Sequence, residues 1–121
     1  MTKVPYDNLT ELLLNVVKQR PAMYLGQKHI SKLPNFILGY QFSDMISRQN
    51  PDFYFGEKGF LDWYVDKYCP PPTSFWQDYF LSQTGNDESK ALDLFFERLA
   101  EYHDWYNSNF PGQINIDMNL K

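Results

Sequence analysis

Apolar side chains recur at helical spacing along most of this chain, and prolines or glycines interrupt the spacing at intervals. In an amphipathic helix, the residues that face the core repeat at i, i+3, i+4 and i+7. The prolines at 70–72 cannot continue a helix, because proline lacks a backbone N–H and clashes with the preceding turn. The pattern therefore predicts an all-α (mainly α) fold of about five helices with short connections.

Two of these helices are predicted in the N-terminal half. The first covers residues 9–19 and is capped by Asn8. The second covers 33–48 and is apolar on nearly every side, which is typical of a central helix. Gly39 in its middle costs about 1 kcal/mol relative to alanine, and a close helix crossing at that point would offset this cost.

Three further helices are predicted in the C-terminal half. Two are short and aromatic, at residues 60–68 and 75–83. The last is long, begins at Asn86 or Asp87 and frays near Asn107. It is expected to support much of the core through an apolar stripe formed by Leu92, Phe95, Phe96, Leu99, Tyr102 and Tyr106.

The length fits a single domain, 1–121, because two cores in 121 residues would each be too small. We expect the helical core to span about 8–107 and residues 108–121 to form a C-terminal arm. Polar and apolar residues alternate from 113 to 120, which favours a short extended segment, although no partner strand is evident.

Cysteine usage and hydropathy favour a protein of the cytoplasm. Cys69 is the only cysteine, so no intramolecular disulfide forms and a reducing compartment fits best. The N-terminus lacks the apolar stretch of a signal peptide, and no apolar run is long enough to span a bilayer. We therefore expect a cytoplasmic protein with no membrane partner.

Charge is unevenly distributed along the chain, whose net charge is −4. Residues 1–50 carry six Lys or Arg against three Asp or Glu, a net +3, whereas 51–121 carry five against twelve, a net −7. Nucleic acid requires a basic surface, so we expect no nucleic-acid partner and favour a basic protein. The 3 Trp, 9 Tyr and 10 Phe exceed what a core of this size needs, and Trp and Tyr suit interfaces.

The last predicted helix carries an acidic stripe, spaced by four, four and three positions: Asp93, Glu97, Glu101 and Asp104. Like charges at i, i+4 repel by roughly 0.2–0.5 kcal/mol per pair, and Lys90 and Arg98 relieve only part of this. The stripe is either a solvated outer face or a recognition surface for a basic partner. Four more residues are candidates for contact with such a partner: Asp62, Trp63, Asp66 and Trp105.

Motifs for catalysis, metal binding or cofactor binding are not evident. The chain has two His and one Cys, without CxxC, HExxH, GxSxG, P-loop or GxGxxG patterns. Cys69 would be a nucleophile only if a histidine and an orienting group converged on it; otherwise it is a half-buried thiol at a helix end. We therefore predict that the chain is not an enzyme and has no catalytic residue, metal or cofactor.

Residues 20–26, Arg-Pro-Ala-Met-Tyr-Leu-Gly, are the most motif-like segment. A structural role is favoured, as a loop in which Pro21 stiffens the exit of the first helix while Met23 and Leu25 cover the core. The segment also resembles one in gyrase-type ATPase domains. That resemblance ends at 35–44, where the complete set of Glu, Asn and Asp that holds magnesium and ATP in that family is missing.

A longer resemblance covers about residues 9–100 and consists of 20–26, 30–33, 36–40, 59–63, 74–76 and 88–96. This outline resembles small bacterial immunity proteins of contact-dependent growth inhibition and other polymorphic toxin systems. The resemblance implies a protein that neutralises one cognate toxin domain, commonly a nuclease with a basic cleft, by tight binding. It assigns no recognition residue, because these vary among such proteins.

The leading hypothesis is therefore an immunity protein that binds a toxin domain through an acidic surface containing aromatic residues. One alternative is a small ligand-binding domain or enzyme with an aromatic-lined pocket, which would require His103, Cys69 or a carboxylate pair to converge in a cavity. Another is an adaptor whose surplus aromatic residues form a homodimer face.

Overall fold

The structure is a computed structural model that describes residues 8–48 and 59–109, with side chains for 9–43 and 59–109. Within these ranges every regular element is helical, which confirms the all-α prediction. The α-helices are α1 (Asn8–Asn15), α2 (Pro21–Leu25), α3 (Leu33–Arg48), α4 (Phe60–Tyr68), α5 (Asp78–Leu81) and α6 (Glu88–Asn109). Single 3-10 turns lie at Val17–Gln19, Ile30–Lys32 and Ser82–Thr84.

Helix α6 is the central element, since α1, α4, α5 and the turn before α3 all pack on it. Its predicted apolar stripe is buried, together with Ala91. The remaining buried apolar side chains come from every other long helix and from the turns: Leu9, Leu13, Val17, Ile30, Leu33, Ile37, Phe60, Tyr64 and Phe80. Burial of each large apolar side chain stabilises the fold by about 1.5–3 kcal/mol.

Aromatic rings hold the short helices α4 and α5 against α6. Phe60 of α4 is 1% exposed, and its ring centroid lies 5.5 Å from Phe95 and 5.8 Å from Tyr102 of α6. Phe80 of α5 stacks on Phe60 at 6.4 Å and meets Phe95 edge-on at 5.6 Å. Short helices are marginal on their own, so these contacts account for the stability of α4 and α5.

Helix α4 ends where the prolines predict. Cys69 follows its last turn in the left-handed conformation, φ +47°, and its N–H donates a 2.9 Å hydrogen bond to the carbonyl of Val65. The helix predicted at 75–83 is shorter than expected: α5 begins at Asp78 and tightens into a 3-10 turn before Gly85, whose φ is +62°. Glycine suits this left-handed position because it has no Cβ.

The segment 20–26 differs from the predicted loop, because Pro21 begins the short helix α2. Proline is favoured at the first helical position, where its missing N–H would have no partner. Leu25 packs against the core as expected, but Met23 is 64% exposed and does not cover it. Gly26, with φ +90°, provides the expected turn.

Helix α3 is less central than its apolar sequence predicts. Its inner side buries Leu33 and Ile37 against α1 and the turn before α3. Its outer side leaves Leu38 58% and Phe42 55% exposed. A Cβ atom built on Gly39 would have no neighbouring atom within 4 Å, so the predicted close crossing of another helix is absent from the described residues. Both predictions for α3 were wrong on these points.

Helix α6 extends to Asn109, slightly beyond its expected end near Asn107. The predicted arm at 108–121 therefore begins as helix. From residue 110 onward, including the extended segment predicted at 113–120, it lies outside the described residues.

Candidate protein-binding surface

Helices α4 and α6 lie side by side and are joined by polar side chains as well as by rings. Lys67 of α4 forms an ion pair of 3.1 Å with Glu101 of α6, and the Tyr68 hydroxyl donates a 2.5 Å hydrogen bond to the same carboxylate. Arg98, one turn earlier on α6, lies 3.7 Å from Glu101. These four residues, Lys67, Tyr68, Arg98 and Glu101, are called the Glu101 clamp below.

Cations of the clamp also lie over aromatic faces. The Lys67 ammonium is 5.3 Å from the ring centroid of Trp63 and 5.5 Å from that of Tyr68, and the Arg98 guanidinium is 4.7 Å from the Tyr68 centroid. Such cation–π contacts contribute about 0.5–1 kcal/mol each at exposed sites. The clamp therefore fixes the position of Trp63 as well as the joint between the helices.

The contacts of the clamp shift the pKa values of Glu101 and Tyr68. The hydrogen bond from Tyr68 and the neighbouring cations hold the pKa of Glu101 below its usual value, although partial burial opposes them. Burial, followed by the hydrogen bond to Glu101, raises the pKa of Tyr68. At neutral pH the carboxylate is therefore ionised and the phenol is protonated, as the hydrogen bond requires.

Two tryptophans lie beside the clamp. Trp63 of α4 and Trp105 of α6 have ring centroids 6.5 Å apart, and Tyr102 contacts both, at 5.6 and 5.9 Å. Trp63 is half-buried, whereas Trp105 is 37% exposed. The structure thus brings together two residues that the sequence places more than forty positions apart.

Each tryptophan has an acidic neighbour in the sequence, and a third acid lies about one turn along α4 from Trp63. Asp62 and Asp66 of α4 and Asp104 of α6 are all exposed. Among the described residues, none forms an ion pair with Asp66 or Asp104. We call the surface formed by Asp62, Trp63, Asp66, Asp104 and Trp105 the α4–α6 face. It contains five of the eight residues predicted to contact a partner.

The predicted acidic stripe on α6 does not face solvent as one unit. Each step of four residues turns the helix about 40° past a full turn, so two such steps rotate Glu101 by about 80° from Asp93, towards α4. The three-residue step to Asp104 returns the stripe to the outer side, and Asp104 is exposed. The prediction of a continuous solvent-facing stripe was wrong at Glu101, which belongs to the clamp.

Asp93 and Glu97 lie at a different site. Lys28, in the connection between α2 and α3, forms a 3.0 Å ion pair with Asp93, and Glu97 lies 3.3 Å from Arg98. A groove of about 510 Å³ runs beside them, lined by Lys18, Gln19, Pro21, Lys28, Asp93, Phe96 and Glu97. This groove has both charge signs on its walls.

The groups that a catalytic pocket would require do not meet in this groove. His103 lies on the α1 side of α6, with its Nε2 3.6 Å from a carboxylate oxygen of Glu11. Cys69 is exposed at the end of α4. Within 8–48 and 59–109, no group of three or more His, Cys, Asp or Glu side chains is placed to hold a metal ion. No helix in the same ranges is long and apolar enough to cross a membrane.

The sequence did not indicate which cations form ion pairs with the acidic residues of α6. Lys28 and Lys67 come from other elements, and nothing in the spacing along α6 indicates them. The partial signal was the i, i+3 pair of Arg98 and Glu101, which the structure places 3.7 Å apart. Tyr102 was predicted only as part of the apolar stripe and Tyr68 only as an aromatic residue of α4, without their contacts to Trp63 and Glu101.

Comparison of the chain with protein-family models, with curated proteins and with solved structures finds no match. The geometry of the α4–α6 face and the sequence pattern are therefore the grounds on which a function is proposed.

Proposed function

We propose that this protein is an immunity protein that binds a cognate bacterial toxin domain through the α4–α6 face and thereby neutralises it. The observation that carries the proposal is the contact between Trp63 and Trp105, on two helices that also carry the exposed residues Asp62, Asp66 and Asp104. Tryptophan is enriched among the residues that contribute most to protein–protein binding. The charge of −7 over residues 51–121 and the sequence resemblance point in the same direction.

The chemistry of the face fits a basic partner surface, such as the substrate cleft of a nuclease. Asp66 and Asp104 carry charge that no described cation neutralises, so they would attract Lys or Arg from a distance and speed the encounter. Trp105 would supply apolar contact area at the centre of the interface. The Glu101 clamp holds Trp63 in place before binding, which reduces the side-chain entropy lost on association.

The groove beside Asp93 and Glu97 supports a second candidate function, the binding of a small ligand. Its volume of about 510 Å³ lies in the range of small-molecule sites. Its mixture of two lysines and two carboxylates fits a zwitterionic molecule. The α4–α6 face is favoured because it combines two tryptophans with Asp66 and Asp104, whose carboxylates form no ion pair with another described residue.

The test begins with the genomic neighbour. A toxin reading frame directly beside this one supplies the partner for pull-down and for rescue of growth in cells that express the toxin domain. The wild-type chain is expected to bind that domain and restore growth. Failure to bind any neighbouring toxin domain would remove the basis for the immunity function.

Two charge reversals on α6 then locate the surface. Asp104→Lys, on the α4–α6 face, is expected to weaken toxin binding at least tenfold, because interface charge pairs contribute about 1.5 kcal/mol or more. Glu97→Lys, at another exposed acid of α6 that lines the groove, is the matched control and should leave affinity unchanged within about twofold. The reverse ranking would assign binding to the groove instead.

A further inference from the structure

Three consecutive prolines, Pro70, Pro71 and Pro72, connect α4 to the segment that leads into α5. They have no regular secondary structure in the fold, and Pro71 and Pro72 are exposed. The ring of each proline fixes φ at about −65° and removes the backbone N–H, and the residue before a proline is restricted as well. A run of three prolines is therefore a stiff, extended connection.

The fold does not need all three prolines to end α4. The helix already stops at Cys69, whose left-handed backbone and hydrogen bond from its N–H to the Val65 carbonyl complete the last turn. Pro70, one residue later, is enough to prevent the helix from continuing. Pro71 and Pro72 are exposed, so the strongest demand of this run falls on its synthesis rather than on the folded state.

Consecutive prolines are poor substrates for peptide-bond formation on the ribosome. The α-amino nitrogen of the incoming residue attacks the ester carbonyl of the growing chain, so a C–N bond forms, the ester C–O bond breaks and the proton passes to the departing tRNA hydroxyl. In proline this nitrogen is a secondary amine held in a ring. A growing chain that ends in proline has a fixed φ and adjusts poorly to the attack. Both restrictions apply when Pro72 is added to Pro71, and Pro70 stiffens the chain behind them.

We propose that elongation pauses between Pro71 and Pro72, and that synthesis of this chain depends on a translation factor that promotes bond formation between prolines. The dependence holds whatever the folded protein binds. An exit tunnel of roughly 100 Å holds about 30 extended residues, so the chain has left the ribosome only as far as about residue 40 at the pause. Helix α6 is not yet made at that moment.

The pause falls before the element that completes the core. Helix α1 and the turn before α3 bury Leu9, Leu13 and Ile30, and both elements pack on α6. Until α6 is made, these apolar side chains lack the helix that covers them, and incompletely covered apolar surface favours aggregation. The pause therefore sets how long the N-terminal elements wait for α6, as well as how fast the protein accumulates.

Translation of the full chain with purified ribosomes, tRNAs and factors tests the pause, with and without the factor that assists proline–proline bonds. Without that factor, the yield of complete wild-type chain is expected to fall by about fivefold or more, and ribosomes should accumulate with Pro71 on the peptidyl-tRNA. Primer extension on the messenger RNA locates these ribosomes to a codon. Addition of the factor should restore the yield.

Two substitutions provide the matched comparison. Pro71→Ala interrupts the run, so its yield should be the same with and without the factor. Pro34→Ala removes an isolated proline and leaves the run intact, so this variant should pause as the wild type does. Yield and ribosome position are measured during synthesis, so neither depends on whether a variant folds.

Equal yields of the wild-type chain with and without the factor would overturn the proposal. A pause that persists at the same codon in Pro71→Ala would overturn it as well, because the pause would then come from another feature of the message. Neither result bears on toxin binding, which is measured with the finished protein.

Discussion

The α4–α6 region and the α1–α3 region differ in the charge and polarity of their exposed side chains. Helices α4 and α6 are joined by the Glu101 clamp and by stacked rings, and their exposed side is acidic. Between Glu11 and Asp44 the chain has no acidic residue, yet it carries Lys18, Arg20, Lys28 and Lys32. Among the described side chains, eight large hydrophobic ones are exposed, and five of them lie in this stretch: Val16, Met23, Tyr24, Leu38 and Phe42.

This difference separates two kinds of aromatic residue. Around α4, rings pack on each other and on α6, so removal of one ring disturbs its neighbours. On α3, the outward Phe42 has space around it. The aromatic residues of the sequence therefore occupy two different environments, the packed core around α4 and the exposed side of α3. Five measurements would break or sharpen the contrast.

The largest effect is expected from Phe60→Ala. This ring is 1% exposed and contacts rings of α5 and α6, so its truncation should lower the free energy of unfolding by about 3–5 kcal/mol. Phe42→Ala is the matched change on α3 and should alter it by less than about 0.5 kcal/mol in the monomer. Urea unfolding at low protein concentration measures both. Equal losses would abolish the distinction between the two regions.

Glu101→Gln should have the next largest effect, because it weakens the clamp. The hydrogen bond from Tyr68 ends on a charged acceptor, but the carboxylate is 35% exposed and screened by solvent. We therefore expect a loss of about 1 kcal/mol at neutral pH, measured by urea unfolding. Glu97→Gln, which alters an acid that is 70% exposed, should have almost no effect.

The contribution of the clamp to the free energy of unfolding should depend on pH in a definite direction. The pKa of Glu101 is lower in the folded chain than its usual value, so its contribution is complete above the usual pKa and is lost as pH falls through the folded value. The difference in unfolding free energy between wild type and Glu101→Gln should therefore shrink below about pH 4. A difference that grows on acidification would contradict the described clamp.

Alanine substitutions of Gly39 and Gly85 should change the free energy of unfolding in opposite directions. Gly39→Ala fills open space in a right-handed helix and should stabilise the monomer by about 0.5–1 kcal/mol. Gly85→Ala, before α6, places a Cβ at φ +62° and should destabilise it by about 1 kcal/mol. Melting temperatures of the two variants, compared at low protein concentration, give the signs directly.

The smallest effect is expected at the ion pair between Lys28 and Asp93. Both side chains are substantially exposed, 44% and 61%, so solvent screens the pair. Asp93→Asn should lower the free energy of unfolding by less than about 0.5 kcal/mol, and added salt should remove even this difference. A larger, salt-resistant loss would contradict the described exposure of this ion pair.

Periodicity was sufficient to predict the helical class and the buried stripe of α6, because burial of one face repeats with the turn of the helix. It was insufficient at Gly39 and Phe42. An apolar residue on the far side of a helix has the same sequence signature whether another element covers it or not. The five-residue helix α2 was also missed, since such short helices depend on their surroundings more than on propensity.

The candidate site was predictable in its residues but not in its arrangement. Trp63 and Trp105 were named from residue type, and their contact depends on how α4 lies along α6. Glu101 was assigned to the solvent-facing stripe because spacing on one helix carries no information about Lys67 and Tyr68 on another. Long-range partners of this kind require the tertiary structure.

The left-handed turn at Cys69 gives the protein a built-in reporter. The thiol is exposed, it is the only cysteine in the chain, and it follows the last turn of α4, on which Trp63 and Asp66 lie. A maleimide fluorophore therefore labels the natural sequence at one known position without any substitution. Docking of a partner on α4 would change the emission or anisotropy of such a dye.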